Sequence, residues 1–225
     1  MSTFVYQSLY KKLDVLAPLL ALTLLIIYAC HSTQLLSTFG SKYVHDLPKG
    51  QALYIMSKTT GLVALGVAAL QIIVGYTPSR VSKRLHVILG VSLVVLALSH
   101  WLFFSLAVYF RTDIFPWKNL KLWSDGTFYH TGIMLGSLAF WMLIVISMSG
   151  FAAKKRILIA KFLHRLGFMV FAMALVHALM IGTESQMFWG GFLFISFSLL
   201  IAIVMLYRWA SRLLEKPLLM LSKRI

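Results

Sequence analysis

The chain has 225 residues, of which 60% are hydrophobic and 12% are charged, and its mean hydropathy is +0.86. Soluble globular domains contain about 25% charged residues, so this composition excludes an ordinary soluble enzyme and indicates a membrane protein. The formal net charge of +15 does not indicate a nucleic-acid partner, because the basic residues flank apolar runs instead of forming one patch.

Six apolar stretches are long enough to cross a bilayer, since a helical crossing takes about 20 residues. They cover approximately residues 13–36, 51–76, 85–110, 127–150, 164–183 and 187–207. The segments between them are short and leave no room for a soluble domain of ordinary size. Because backbone groups in lipid must pair within helices, we predict an all-α integral membrane protein, a six-helix bundle forming one domain over residues 1–225.

Basic residues concentrate at one side of the predicted spans, whereas the opposite loops carry fewer and are diluted by acids. The positive-inside rule therefore predicts that both termini are cytoplasmic, in a protein that we expect in the bacterial inner membrane. The tail, about residues 208–225, is typical of a basic interfacial helix interrupted at Pro217. The basic residues of the predicted inner side are Lys11, Lys12, Arg80, Lys83, Arg84, Lys154, Lys155, Arg156, Lys161, Arg165, Arg208, Arg212, Lys216, Lys223 and Arg224.

The first two spans carry few chemically active groups. The first apolar run is long and has no small-residue cleavage site, so we expect an uncleaved span. Cys30 is the only cysteine, which excludes an internal disulfide and a cysteine-ligated cluster. Lys58 lies about two turns inside the second span, where a buried ammonium needs an anionic partner. The alternative is that its ammonium snorkels outward to the membrane interface.

The third span holds two histidines in the apolar stretch RLHVILGVSLVVLALSHWLFF, residues 84–104. His86 and His100 are separated by about 21 Å of helical rise and nearly four full turns. Both side chains should therefore face the same direction, one near each membrane surface. An ionisable group without a partner would be costly at such a depth, so these side chains need a function.

The fifth span repeats this feature in LHRLGFMVFAMALVHALM, residues 163–180. His164 and His177 are separated by about 19.5 Å of rise, so their depths match those of the first two histidines. Thirteen ideal helical steps, however, end well over 90° away from the starting face. Either this span is distorted between its histidines, with Gly167 as one place to bend, or the two imidazoles address their targets from different sides. We find no convincing repeat of sequence between these spans.

Four imidazoles on two helices, at two matching depths, can form two axial pairs. A haem iron accepts one imidazole from each side, so one haem b fits between spans three and five at each level. His86 and His164 would form the inner pair near the basic side, and His100 and His177 the outer pair. Two haems about 20 Å apart would carry electrons through the bilayer.

Two other roles of these histidines compete with haem ligation. A single membrane histidine is more often an interhelical hydrogen-bond partner than a ligand. A zinc site would need further cysteine or carboxylate ligands beside each pair. The remaining histidines are not spaced from another histidine in a way that would pair them as ligands, and we expect them to be interfacial or on the substrate side. They are His31, His45 and His130.

The neighbours of the histidines suggest further contacts to haem. Propionates are anionic and need cationic or hydrogen-bonding partners. Arg84 and Arg165 adjoin the inner ligands and are candidates for that role, with snorkelling to lipid headgroups as the alternative. Lys58 is the candidate for an outer propionate. We expect Trp101 and Phe104 to wall the outer haem, and the loop over residues 111–126 to cover it.

The pattern of histidines resembles that of a known superfamily. With H86-x13-H100 on the third of six spans and H164-x12-H177 on the fifth, the chain resembles the ferric reductase-like transmembrane domain of NADPH oxidases, ferric reductases and the small bacterial subunit MsrQ. The resemblance covers roughly residues 10–208 and includes the basic segments TPSRVSKRLHVILG and AKFLHRLGF. The small size and the lack of a fused domain are similar to MsrQ, whereas the first histidine of span three departs from the MsrQ pattern.

This resemblance implies the membrane haem subunit of an oxidoreductase, surrounded by membrane lipid. The chain has no NAD(P)H or FAD module, so a cytosolic flavoprotein that carries FMN or FAD, or a quinol, would donate electrons. The acceptor would be an extracytoplasmic reductase, a flavoprotein or a ferric chelate. The alternative is a haem-free transporter or proton path, which usually has intramembrane carboxylates. Here the acids lie at span ends or in loops: Asp14, Asp46, Asp113, Asp125, Glu184 and Glu215.

Overall fold

The computed structural model describes residues 20–34, 48–75, 80–113, 126–153 and 157–182, together with residues 115, 195–196, 198–199, 202–203 and 206. Regular secondary structure in these ranges is helical throughout, which confirms the all-α fold class for this part of the chain. The helices are α1 (Leu20–Ser32), α2 (Gln51–Gly75), α3 (Arg80–Thr112), α4 (Phe128–Ala153), α5 (Leu158–Arg165) and α6 (Gly167–Ile181).

Among the described residues, four helical segments are long and apolar enough to cross a membrane, which supports the prediction of a multi-pass membrane protein. They are Gln51–Gly75, Lys83–Thr112, Phe128–Gly150 and Leu158–Ile181, and they correspond to the predicted spans two to five. The first predicted span contributes the shorter apolar helix α1. Most of the sixth predicted span, the loop over 116–125 and the tail over 208–225 lie outside the described residues.

In the described part of the chain, α2 to α6 form two helical hairpins. The first hairpin packs α2 against α3, and the second packs α4 against α5 and α6. The hairpins meet along a less extensive contact, in which α2 faces α6 and α3 faces α4. A bundle in which two tightly packed hairpins touch only lightly leaves room between them for a ligand.

The distribution of apolar side chains fits a lipid environment. One face of α3 exposes large apolar residues at helical spacing, among them Val87, Val91, Val95 and Leu102. The interior instead includes small hydroxyl residues, such as the buried Ser57 and others on α2, α3 and α4. Large apolar groups outside and small residues between helices are typical of membrane bundles, where lipid replaces water as the solvent.

The fifth predicted span is broken into α5 and α6. It begins at Leu158, six positions before the predicted start at 164, and the break lies at Leu166. The N–H of Leu166 donates to the carbonyl of Leu163 at 3.0 Å, and the N–H of Met169 donates to the carbonyl of Leu166 at 2.9 Å. These bonds span three residues instead of four, so the chain tightens locally into a 3₁₀ turn. A distortion of the helix between His164 and His177, one of the two alternatives that their thirteen-residue spacing allows, is therefore present next to Gly167.

Candidate functional site

The four histidines of spans three and five meet as the two predicted pairs. The ring centroids of His86 and His164 are 5.8 Å apart, with an angle of 83° between the ring planes. Those of His100 and His177 are 6.2 Å apart, with an angle of 81°. Two imidazoles on opposite sides of one metal ion would place their centroids roughly 6 Å apart, given about 2 Å per metal–nitrogen bond and about 1 Å from each nitrogen to its ring centre. Both pairs therefore have the separation that shared axial ligation requires.

Each of the four imidazoles is oriented by a backbone carbonyl of the adjacent helix in its own hairpin. A carbonyl can only accept, so each Nδ1 carries the proton and each Nε2 keeps its lone pair for a metal. Histidine ligands in metal sites are commonly fixed in this way. From Nδ1 to the carbonyl oxygen, the distances are 3.0 Å for His86 and Gln71, 2.8 Å for His100 and Ser57, 3.4 Å for His164 and Ile146, and 2.7 Å for His177 and Gly132.

His100 has an additional partner in the Ser57 side chain. The Ser57 hydroxyl donates to the backbone carbonyl of His100 at 3.0 Å and lies 3.2 Å from His100 Nδ1. Because its proton points to the carbonyl, its lone pairs are available to the Nδ1–H group. The outer pair is therefore held by shorter and more numerous hydrogen bonds than the inner pair.

The break at Leu166 explains why the two histidines of α5 and α6 reach their carbonyl acceptors although they are one position closer in sequence than those acceptors are. On α2, the acceptors Ser57 and Gln71 are fourteen positions apart, as are the histidines that they orient. On α4, the acceptors are again fourteen positions apart, whereas His164 and His177 are separated by thirteen. The 3₁₀ turn supplies the rotation that an unbroken α5–α6 helix would lack.

Sequence reasoning did not select the glycines that contact these rings. Each imidazole lies against the glycine that follows its carbonyl acceptor by one helical turn; these glycines are Gly61, Gly75, Gly136 and Gly150. A signal was present, because the two glycines on each helix are fourteen positions apart, like the histidines of span three. Glycine is common in membrane helices, however, so the spacing does not stand out without the fold.

A cavity of about 250 Å³ surrounds the outer pair between the two hairpins. Trp101 and Phe104, which were expected to wall an outer haem, both line it. Trp101 also stacks on Phe140 of α4, with ring centroids 6.2 Å apart, and closes one side of the cavity. Within the described residues, the buried Trp101 Nε1 has no hydrogen-bond partner, which leaves a donor for a ligand.

Positive charge lies at the outer end of this cavity. Lys58 lines the cavity, and its Nζ lies 5.4 Å from the centroid of the Tyr54 ring. The Arg111 guanidinium lies 5.2 Å from the same centroid and donates to the side chain of Gln51. Cations over an aromatic face are held by its quadrupole. Lys58 is thus placed where an anionic group on a ligand of the cavity would meet it.

The remaining predicted residues that the structure describes lie away from the cavity of the outer pair. Arg84 and Arg165 are exposed beside the inner histidines. His31 is exposed on α1, and the ring of His130 lies 5.8 Å from that of Tyr129 at the start of α4. His45 lies outside the described residues. The proposed contacts of the two arginines to propionates stay predictions.

The outer site fits a flat ligand that carries a metal and acidic groups. It combines two imidazoles with ring centroids 6.2 Å apart, an apolar aromatic wall, an indole N–H without a partner among the described residues and a nearby ammonium group. A b-type haem has this chemistry, since its ring supplies the equatorial ligands and its propionates need donors. The chain matches no known family model, no curated protein and no solved structure. The resemblance to the ferric reductase-like superfamily therefore rests on the sequence features given above, chiefly the spacing of the four histidines.

Proposed function

We propose that this chain is the di-haem b membrane subunit of a ferric reductase-like oxidoreductase. It takes electrons from a cytosolic flavoprotein carrying FMN or FAD, or from a quinol, and passes them to an extracytoplasmic reductase, flavoprotein or ferric chelate. The observation that carries this proposal is the geometry of the histidines. Two pairs with ring centroids 5.8 and 6.2 Å apart, all four oriented through Nδ1, are difficult to explain as isolated packing contacts.

In this proposal the protein supplies position, ligands and a medium of low polarity. His86 and His164 hold the inner haem, and His100 and His177 hold the outer haem. Lys58 and the Trp101 indole N–H would meet an outer propionate, and Arg84 and Arg165 the inner ones. When bound, each haem supplies an iron centre that accepts and releases one electron.

We further propose six spans with both termini in the cytoplasm of a bacterial cell. The exposed basic residues near the inner histidines, among them Lys83, Arg84, Lys161 and Arg165, support this orientation. Reporter fusions should indicate a cytoplasmic position for both termini and an external position for the loop over 111–126. A cytoplasmic position for that loop would exchange the inner and outer haem.

The first test is the cofactor content of the purified full chain. We expect a red protein with two haem b per chain, measured as the pyridine haemochrome against quantitative amino-acid analysis. Both haems should give low-spin spectra in the oxidised and reduced states, since each iron has two imidazole ligands. A colourless protein that cannot be reconstituted with haem would contradict the proposal and favour a haem-free transporter or proton path.

A further inference from the structure

We propose that Gly61 and Gly136 are positioning residues for the outer ligand pair. The missing side chain at each glycine lets an imidazole lie directly against the neighbouring helix, where its Nδ1 reaches the carbonyl one turn earlier. This inference rests on the proposed function, because it treats His100 and His177 as metal ligands.

The contact between Gly61 and His100 leaves no space for a methyl group. A Cβ atom on Gly61 would lie 2.7 Å from His100 Nδ1 and 2.9 Å from its Cε1, distances that real Cβ atoms essentially never show. The ring cannot retreat freely, because its Nδ1 is held 2.8 Å from the Ser57 carbonyl. Alanine at position 61 would therefore lengthen the hydrogen bond from His100 to the Ser57 carbonyl or tilt the His100 ring away from His177.

The same relationship holds across the pair, on the second hairpin. A Cβ atom on Gly136 would lie 2.6 Å from both Nδ1 and Cε1 of His177. The Nδ1 of His177 lies only 2.7 Å from the carbonyl of Gly132, one turn before Gly136. Close contact with a glycine and a short bond to the preceding turn thus occur together at both outer histidines.

The inner pair shows a looser version of the arrangement. A Cβ atom on Gly75 would lie 3.0 Å from His86 Cε1 and 3.1 Å from its Nδ1, and one on Gly150 would lie 3.2 Å from the same two atoms of His164. The corresponding carbonyl bonds are also longer, at 3.0 and 3.4 Å. Small movements could relieve these contacts, so alanine should be better tolerated at the inner site.

Other helical glycines serve ordinary packing. A Cβ atom on Gly66 would meet the side chain of Leu25, and one on Gly132 would meet Ile181. Gly90 faces the amide end of the Gln71 side chain, which is flexible and can move. Gly61 and Gly136 differ from these because the atoms that they accommodate belong to the proposed ligands.

Positioning by these glycines has a chemical consequence for the metal. A short Nδ1–H···O=C bond fixes the ring and its tautomer and increases the electron density on Nε2, and losing such support typically weakens metal binding by 10- to 100-fold. A ligand richer in electrons stabilises ferric over ferrous iron. Alanine at either glycine should therefore weaken binding of the outer haem and raise the midpoint potential of any that remains.

The test compares Gly61→Ala and Gly136→Ala with Gly90→Ala in the full chain. We expect binding of the outer haem to weaken at least about tenfold in the first two variants, while the inner haem keeps its wild-type spectrum and potential. The Gly90→Ala control should retain both haems. An unchanged outer haem in the first two variants, or equal loss of both haems, would overturn the proposal.

A second measurement is made on the haem-free chains, so that bound haem does not contribute to their stability. If Gly61→Ala acts through the His100 ring, it should lower the melting temperature of the otherwise wild-type chain. In a chain that already carries His100→Ala, it should change the melting temperature little. An equal decrease in melting temperature in the wild-type and His100→Ala chains would overturn the proposal. Failure of the proposed function would instead appear as a wild-type chain that binds no haem.

Discussion

The Nδ1 atom of His177 lies 2.7 Å from the carbonyl oxygen of Gly132, in a hydrogen bond that joins the two arms of the second hairpin. The equivalent bond of His164, at the other end of the same hairpin, is 3.4 Å long. The two sites are thus similar in construction and unequal in how tightly the ligands are held. Because orientation of a ligand through its second nitrogen affects metal affinity, we expect the outer haem to be bound more strongly than the inner one.

Axial ligation depends on both members of a pair, so loss of either histidine should damage the same haem. We expect His86→Ala and His164→Ala each to lose the inner haem, and His100→Ala and His177→Ala each to lose the outer one. A double variant within one pair should lose little more than either single variant, because the two residues act as a unit. Haem content and redox titration measure this outcome.

The control for these variants is His31→Ala, since His31 is exposed on α1 and should leave both haems intact. Transmembrane electron transfer should fail in all four variants of the paired histidines. Loss of either haem leaves electrons a step of about 20 Å without a relay. A stoichiometry of one haem per chain with a normal spectrum in His86→Ala would disprove the di-haem proposal.

The Ser57 hydroxyl should influence the outer haem alone. It lies 3.2 Å from His100 Nδ1 and offers a second acceptor to that group. Ser57→Ala should remove about 1 kcal/mol of hydrogen bonding. Only the part of this energy that differs between ferric and ferrous haem shifts the midpoint, so the shift should stay below roughly 40 mV for a one-electron couple. The outer midpoint should rise, because the imidazole becomes a poorer donor to ferric iron. Ser137→Ala, which alters another hydroxyl in the cavity wall, is the matched control.

Lys58 should also affect the outer haem, and in the opposite direction. Its ammonium group lies at the end of the cavity beside Tyr54, where it would compensate a propionate. Lys58→Met removes a positive charge that favours the reduced state, so the outer midpoint should fall while the inner midpoint stays constant. Lys49→Met, at an exposed position on the same side, controls for general charge effects. An outer midpoint equal to that of the wild type would favour the snorkelling alternative.

The histidine pairs could be predicted from sequence because the helical period converts spacing into direction and depth. His86 and His100, at nearly four full turns, face one way without any adjustment. The same period showed that the thirteen-residue spacing of His164 and His177 is irregular, and Gly167, which the sequence offered as one place to bend, adjoins the break at Leu166. The break at Leu166 depends on how α5 and α6 pack on α4, which the local sequence does not determine.

The supporting groups around the histidines were hidden from sequence for a different reason. The acceptors are backbone carbonyls, which every residue has, so the identity of a residue such as Gln71 or Ile146 does not mark it as an acceptor. The register of α2 against α3 has to be known before they can be identified. Once it is known, a structural repeat becomes visible, since Gly61 and Gly136, like Gly75 and Gly150, are 75 positions apart.

The register of the second hairpin leads to the last prediction, which concerns the break between α5 and α6. Inserting one alanine between Leu166 and Gly167 would restore the fourteen-residue spacing found in α3, so a regular helix could present both histidines to the bundle. We expect this variant to retain both haems. Deleting Gly167 should abolish the inner haem, because it removes a residue next to the 3₁₀ turn and leaves twelve steps, about 18 Å of rise, between histidines whose carbonyl acceptors are fourteen positions, about 21 Å, apart. Haem stoichiometry and the two midpoint potentials measure both outcomes, and the outer haem serves as the internal control in each variant. Loss of the inner haem in the insertion variant would show instead that the 3₁₀ turn at Leu166 is itself required to position His164.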